Sequence, residues 1–261
     1  MEISLEGKTA LVCGSSQGIG KAIAIELAAL GATCILLART EEKLKLAVSE
    51  LAVDKFQQHN YAVVDFLDVS SLAKIAEEIC QRHKIDILIN NTGGPAAGLI
   101  SSAEPIAFEA AFQQHLICNH VLTQAVVPSM KKNQWGRIIN IISTSVRIPL
   151  DFLGVSNTVR AAVASWSKTM SNELAEFGIT VNSLLPGFIA TARLDAVATS
   201  FASREQVDKT VMESRMKLSV PAKRFGLPSE IAAVAAFLAS PAASYVNGVS
   251  LPVDGGRTGT I

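Results

Sequence analysis

Residues 8–20 read KTALVCGSSQGIG, a short apolar run that leads into three closely spaced glycines. The apolar run predicts a β-strand, and Gly18–Leu30 has the apolar spacing of an amphipathic helix. Gly14 permits a tight turn, Gly18 lets the backbone approach a ligand, and Gly20 lets the helix pack closely on the strand. Because the free N–H groups at a helix start favour anions, this stretch predicts a turn that binds a pyrophosphate.

Outward from this turn, strand-like and helix-like segments alternate to the end of the chain. Further apolar runs that predict strands cover residues 33–37, 61–64, 85–89, 137–142, 180–184 and 249–253. Helical spacing covers residues 41–51, 70–83, 105–130, 155–174 and 230–238. Strands joined by helical crossovers are parallel, and strands that are apolar throughout are covered on both faces. The sequence therefore predicts an α/β fold over residues 1–261, a doubly wound parallel sheet of the Rossmann type in a single domain.

Composition argues against several classes of partner and site. The 23 basic and 23 acidic residues give zero formal net charge, with no basic stripe for nucleic acid or an anionic membrane. The first seven residues, MEISLEG, lack the pattern of a signal peptide, and no apolar run approaches the roughly 20 residues that span a bilayer. The four cysteines have no metal-ligand spacing, so we expect reduced core cysteines, no metal site and a cytoplasmic protein.

Five motifs in chain order carry a family resemblance. They are Cys13–Gly20 for TGxxxGIG, Asp68-Val69 for an adenine-binding pair, Asn90–Gly93 for NNAG, Pro186-Gly187 followed by Thr191, and Val253–Gly256 for VDGG. Together they resemble the short-chain dehydrogenase/reductase family, most closely its 3-oxoacyl-(acyl-carrier-protein) reductase-like members. The resemblance covers nearly all of the chain. It implies an NAD(P)-dependent oxidoreductase that reduces a carbonyl group or oxidises an alcohol.

The resemblance and the glycine turn together imply a cofactor site. Its expected residues are Gly14, Ser16, Gln17, Gly18, Ile19, Gly20, Arg39, Asp68, Val69, Asn91, Gly93, Arg160, Pro186, Gly187 and Thr191. An acid at the end of the second strand would bind the ribose 2′-hydroxyl and repel a 2′-phosphate. Arg39 stands there instead, with no acid before Glu41, and its planar fork suits a phosphate. We therefore expect NADP; if Arg39 is only a solvated loop residue, NAD is the alternative.

The proton donor that the resemblance implies is missing. In the family a tyrosine, followed four residues later by a lysine, works with a serine on the preceding strand end and an asparagine on the long helix. Counting from Ser143, which takes the serine position, puts Ser156 at the tyrosine and Arg160 at the lysine, so SxxxR replaces YxxxK. Neither Tyr61 nor Tyr245 has a lysine four residues later.

His115 takes the asparagine position, and it leaves two interpretations open. A serine hydroxyl such as that of Ser156 is a poor acid, and Arg160 holds ribose hydroxyls but does not easily pass a proton. A histidine with an ordinary pKa near 6.5 can donate a proton at neutral pH. Either His115, through water or Ser156, protonates a carbonyl held by Ser143, or it only packs and the usual catalytic route is lost.

Residues beyond these motifs suggest a lid and an assembly. Residues 188–226 have an interrupted helical pattern, and the resemblance implies that they cover a small-molecule carbonyl or alcohol substrate. The long helices resemble those that pair between subunits of the family, which implies a homo-oligomer, a dimer or a homotetramer.

Three functions remain open from the sequence. The leading one is the oxidoreductase described above. Because the cofactor motifs are intact while the proton-donor motif is not, the alternative is a dinucleotide-binding protein with little or no turnover, a sensor or subunit. A weaker third is a lyase or isomerase that uses the cofactor structurally.

Overall fold

The computed structural model describes residues 1–259 and contains a seven-stranded parallel sheet. In chain order the strands are β1 (Thr9–Cys13), β2 (Thr33–Ala38), β3 (Asn60–Val63), β4 (Ile87–Asn90), β5 (Gly136–Ile141), β6 (Ile179–Pro186) and β7 (Ser250–Val253). Across the sheet they lie in the order β3-β2-β1-β4-β5-β6-β7. The strand order reverses between β1 and β4, so the predicted doubly wound parallel sheet is confirmed.

Helices cover both faces of the sheet. They are α1 (Gly18–Ala29), α2 (Glu41–Ser49), α3 (Val69–Arg82), α4 (Pro105–Phe112), α5 (Cys118–Lys132), α6 (Gly154–Leu174), α7 (Ala192–Glu205), α8 (Lys209–Leu218) and α9 (Pro228–Ala239). On β1, Val12 packs in the cluster under α1 and α9, whereas Leu11 and Cys13 pack in the cluster under α3 and α5. Alternate residues of one strand therefore enter two cores, as a doubly covered sheet requires.

The single helix predicted over residues 105–130 is divided. A turn of π-helix, Gln113–Ile117, lies between α4 and α5. Its i→i+5 hydrogen bonds add a residue to the turn, and such turns occur frequently at functional sites. An apolar period alone does not report this local change, so the sequence predicted one continuous helix.

Particular residues explain where several elements begin and end. Pro105 and Pro228 occupy the first turns of α4 and α9, where a missing N–H costs nothing. Glu230 of α9 accepts a hydrogen bond from the backbone N–H of Leu227 at 2.7 Å, which closes the start of that helix. After α6, Gly178 adopts a positive φ of 69° and turns the chain into β6.

A buried chain of polar side chains crosses the middle of the sheet. Asn90 of β4 donates to Asn140 of β5 at 2.8 Å, and Asn140 donates to Ser167 of α6 at 3.0 Å. Ser183 of β6 donates to the same Ser167 hydroxyl at 3.1 Å. All four residues are almost completely buried, so these hydrogen bonds join three neighbouring strands inside the core.

The predicted lid, residues 188–226, contains α7 and α8. Ala198 and Ala202 of α7 pack against Met212 and Met216 of α8 in a small apolar cluster separate from the two main cores. The two helices therefore form a unit with its own packing beside the sheet. Their function as a lid stays a prediction.

Candidate functional site

A cavity of about 820 Å³ lies at the carboxyl edge of the sheet, where the strand order reverses. Loops that follow β1, β2, β4, β5 and β6 all contribute to its wall. Most of the predicted site residues line it, namely Gly14, Ser16, Gln17, Gly18, Ile19, Arg39, Asn91, Gly93, Ser143, Ser156, Arg160, Pro186, Gly187 and Thr191. Four predicted residues, Gly20, Asp68, Val69 and His115, are not among its lining residues.

The glycine turn after β1 forms one end of the cavity. Gly14 has a positive φ of 57°, and a Cβ placed there would come within 2.5 Å of the Asn91 carbonyl oxygen. A Cβ on Gly20 would come within 2.3 Å of the Gly14 carbonyl oxygen, so Gly20 supports the turn from behind. The Asn91 side chain donates to the carbonyl groups of Cys13 and Gly14 at 3.3 and 3.2 Å. Only glycines fit this arrangement of close backbones.

The start of α1 is open toward the same turn. Its N-cap residue, Gln17, makes no capping hydrogen bond through its side chain, and its first turn contains no acid. The first N–H groups of the helix therefore have no side-chain acceptor, and the positive end of the helix dipole faces the cavity. This backbone surface fits the pyrophosphate of a dinucleotide.

Two cations stand on the wall formed by the end of β2 and the start of α2. Arg39 and Lys43 both line the cavity, and Lys43 donates to the Gln17 side chain at 3.3 Å. The nearest acid in sequence, Glu41, instead pairs with Lys45 at 3.0 Å and is not a lining residue. This wall therefore offers positive charge without a competing carboxylate, which fits a phosphate group.

Asp68 and Val69 are not lining residues of the cavity, which argues against the predicted adenine contact at this pair. The Asp68 carboxylate accepts hydrogen bonds from the Ser71 backbone N–H at 3.0 Å and the Ser70 hydroxyl at 2.8 Å, and it thereby caps α3. These hydrogen bonds, the one from Ser71 first, lower the pKa of Asp68. Phe66, two residues earlier, lines the cavity.

At the other end of the cavity, α6 presents a serine and an arginine. Ser156 and Arg160 are one helical turn apart, both are more than 90% buried, and both line the cavity. Arg160 donates to the Ile141 carbonyl at 2.9 Å, and burial, with the charge of Arg193, lowers its pKa to about 10. It therefore stays charged at neutral pH. Ser143 lines the same end, at the carboxyl end of β5.

His115 reaches this end of the cavity only through Thr92. Its ring is 1% exposed, and its Nδ1 lies 2.5 Å from the Thr92 hydroxyl, which does line the cavity. Burial above all, and then the charges of Arg160 and Arg193, lower the pKa of His115 to about 2. The ring is therefore neutral at pH 7, which argues against the hypothesis that His115 protonates the carbonyl through water or Ser156. Within residues 1–259 its Nε2 has no hydrogen-bond partner.

Among the cavity residues that the sequence reasoning missed are Lys43, Phe66, Thr92 and Arg193. Thr92 had a visible signal, because it stands where the resemblance implies alanine in NNAG. Arg193 had none: it lies in α7, and its Nη2 donates to the Pro95 carbonyl at 2.6 Å from across the cavity. Such contacts depend on the tertiary arrangement of distant segments.

Two further features, a metal cluster and a membrane-spanning helix, are absent from residues 1–259. No three His, Cys, Asp or Glu side chains of this part of the chain are grouped so that they would hold a metal ion. No helix of the same residues has the length and apolar character needed to cross a membrane.

Comparisons with known proteins agree with this architecture. A sequence profile of the family described as enoyl-(acyl carrier protein) reductase matches residues 14–258. An NADPH-dependent reductase of Bacillus subtilis (strain 168) is 34% identical over 257 residues, 97% of this chain and 99% of that protein. A 3-oxoacyl-(acyl-carrier-protein) reductase of Aquifex aeolicus (strain VF5) is 35% identical over 263 residues, 98% of this chain and 99% of that protein. The crystal structure of an L-sorbose reductase from Gluconobacter frateurii, complexed with NADPH and L-sorbose, is similar with a TM-score of 0.92, 29% identity and 100% coverage of both chains.

Proposed function

The chain belongs to the short-chain dehydrogenase/reductase family, and from this premise we propose that it is an NADP-dependent oxidoreductase acting on a carbonyl group or the corresponding alcohol. One observation carries the proposal. A continuous cavity runs from the glycine turn at Gly14, which suits a pyrophosphate, to the buried cation and hydroxyl groups at Arg160 and Ser156. Anion-binding backbone at one end and charge-stabilising side chains at the other suit a dinucleotide and its reacting partner.

The preference for NADP rests on the second-strand wall. Arg39 and Lys43 offer two cations to a ribose 2′-phosphate, and Glu41 is held away by Lys45. The reductase of Bacillus subtilis is named for its use of NADPH, which supports the same choice. NADH lacks the phosphate and would leave both cations without an anion.

The chemistry at the substrate end follows from the charges there. Bound NADPH supplies the hydride that forms the new C–H bond. Negative charge then develops on the substrate oxygen, and the buried Arg160 guanidinium stabilises it. The Ser143 and Ser156 hydroxyls line the same end and donate hydrogen bonds to that oxygen. Because serine is a poor acid, Ser156 passes on a proton taken from solvent rather than supplying its own.

His115 is a positioning residue in this proposal. Its neutral ring holds the Thr92 hydroxyl at the cavity wall. A charged ring would add a third cation beside Arg160 and Arg193, which the low pKa of His115 excludes at neutral pH.

The non-catalytic alternative has one observation in its favour, which is the absence of the family tyrosine at position 156. The relatives named above are reductases, and none of them supports a sensor or subunit without turnover. No observation favours a lyase or isomerase.

We further propose a cytoplasmic homo-oligomer with residues 188–226 as a lid. Ala161 and Ser165 are exposed on α6, and small side chains there would allow the close approach of a second helix. The family resemblance of the long helices supports a dimer or a homotetramer.

Paired titrations test the cofactor proposal. NADPH and NADH are titrated into the protein by fluorescence, and a panel of ketones and aldehydes is then screened for NADPH oxidation. We expect NADPH to bind more tightly, and Arg39→Met together with Lys43→Met to remove about tenfold or more of that preference. Lys132→Met is the control, because Lys132 is an exposed cation at the end of α5 and outside the cavity. Binding without turnover across a broad panel would favour the non-catalytic alternative.

A further inference from the structure

The substrate end of the cavity contains two arginines and no acid. The charged residues that line the whole cavity are Lys21, Arg39, Lys43, Glu50, Arg160 and Arg193. Glu50 is the single acid among them, and it pairs with Lys21 at 2.7 Å near the start of α1. Within residues 1–259 neither Arg160 nor Arg193 lies within salt-bridge distance of a carboxylate. Two guanidinium groups therefore face the reaction end without a compensating charge.

The guanidinium of Arg193 packs closely against Gly94, in the loop that follows β4. A Cβ on Gly94 would come within 3.0 Å of the Arg193 Nη2 and 3.1 Å of its Nε, so a side chain there would displace the guanidinium. The hydrogen bond to the Pro95 carbonyl uses one of the five N–H groups that an arginine carries. The remaining N–H groups belong to a side chain that lines the cavity, and they are available to a ligand.

The two arginines are close enough to affect each other. The charge of Arg193 contributes to the lowered pKa of Arg160 and to that of His115. Arg160 is 8% exposed, and its only hydrogen bond in the described residues goes to the Ile141 carbonyl, which carries no net charge. The unpaired charge of the buried Arg160 raises the free energy of the empty site, and a nearby anion lowers it. Arg193 is exposed, so its guanidinium is open to an anion that enters from solvent.

We propose that the substrate is a carbonyl compound that carries an anionic group, a carboxylate or a phosphate ester, which pairs with the Arg193 fork. Arg160 remains beside the reacting oxygen, one turn from Ser156. The proposal rests on the proposed reductase function and names the substrate class of that same site. The planar guanidinium matches the two oxygens of either anion, so both sources are tested.

The kinetic test compares substrates that differ only in charge. Acetoacetate is compared with methyl acetoacetate, and dihydroxyacetone phosphate with dihydroxyacetone, under saturating NADPH. We expect kcat/KM for at least one charged member to exceed that of its neutral counterpart by about tenfold or more. Arg193→Met should remove this preference through a higher KM for the anion, and Arg193→Lys should keep part of it. Arg215→Met is the matched control, because Arg215 is an exposed residue of α8 outside the cavity.

A binding test does not depend on turnover. 3-Hydroxybutanoate and its methyl ester are titrated into the NADPH-loaded protein, where an alcohol and a reduced cofactor do not react. We expect the acid to change NADPH fluorescence at a concentration about tenfold below that of the ester, and this difference to vanish in Arg193→Met. This readout survives if no ketone is reduced, so the failure of the proposed function and the failure of the anion site are distinguishable.

Two results would overturn the anion site. The first is equal treatment of the charged and neutral members in both assays. The second is a loss of about tenfold or more in NADPH affinity in Arg193→Met, because Arg193 would then be a contact to the cofactor pyrophosphate.

Discussion

The two ends of the cavity are built from different parts of the chain. At the Gly14 end, backbone atoms of three glycines, a helix start and the Asn91 loop form the surface. At the Arg160 end, side chains from separate elements meet, and His115 joins them through Thr92. A surface made of backbone tolerates only glycine, so its motif survives in recognisable form. At a surface made of side chains, a serine can replace a tyrosine and an arginine can replace a lysine while the fold remains the same.

The largest effect should follow a change at the backbone end. Gly14→Ala places a Cβ 2.5 Å from the Asn91 carbonyl oxygen at a positive φ, so the turn must shift. We expect NADPH affinity to fall by about 100-fold, measured by fluorescence titration, because strain of this kind costs about 1–3 kcal/mol before the clash is counted. Gly98→Ala is the control, since a Cβ there meets nothing within 4 Å. Equal NADPH affinities of the two variants would contradict the conclusion that the backbone of the glycine turn binds the cofactor.

At the side-chain end, Arg160→Met should lower kcat more than it lowers cofactor affinity. Loss of a buried group that stabilises developing negative charge typically costs about 100-fold in kcat. We expect a smaller loss of NADPH affinity, because the expected contact of Arg160 to the ribose is lost while the glycine turn remains intact. Arg160→Lys, which keeps the charge, should recover part of kcat. An unchanged kcat in Arg160→Met would remove the guanidinium from the mechanism.

His115 should make folding stability depend on pH. In the unfolded chain its pKa is near 6.5, whereas burial in the folded protein lowers it to about 2. The unfolded state therefore binds the extra proton as the pH falls below 6.5, and stability decreases from pH 7 to pH 5 by about 2 kcal/mol. Urea unfolding at both pH values should show this loss in the wild type and a smaller one in His115→Asn. Identical losses would mean that His115 is not held neutral.

The smallest effect distinguishes a cap from a cofactor contact. Asp68→Ala removes the acceptor for the Ser71 N–H, and loss of an N-cap typically costs about 1 kcal/mol of stability. NADPH affinity should stay the same, whereas Phe66→Ala should weaken it, because Phe66 lines the cavity. Fluorescence titration and urea unfolding of both variants measure this. Weaker NADPH binding in Asp68→Ala would restore the adenine role expected from the sequence.

The same contrast explains what the sequence could predict. The doubly wound sheet and the glycine turn were predictable, since apolar runs and glycines report backbone demands directly. Ser143, Ser156 and Arg160 were brought to one end of the cavity as counting along the chain predicted. The π-helical turn around His115, the seat of Arg193 on Gly94 and the place of Phe66 depend on packing between distant segments. No local sequence pattern indicates such contacts. Asp68, which caps α3, stands in a pair that resembles the adenine-binding motif of the family.

A set of buried hydrogen bonds affects how precisely the loops around the cavity are positioned. It joins Asn90, Asn140, Ser167 and Ser183. In a parallel sheet, sliding one strand by a single residue would turn its side chains to the opposite face and leave buried amides without partners. Hydrophobic contacts alone would disfavour such a shift only weakly, because one aliphatic side chain would replace another. These few hydrogen bonds therefore specify the register of the three strands. They fix the register of β4, β5 and β6, so that side chains on the loops after these strands lie at the same edge of the sheet.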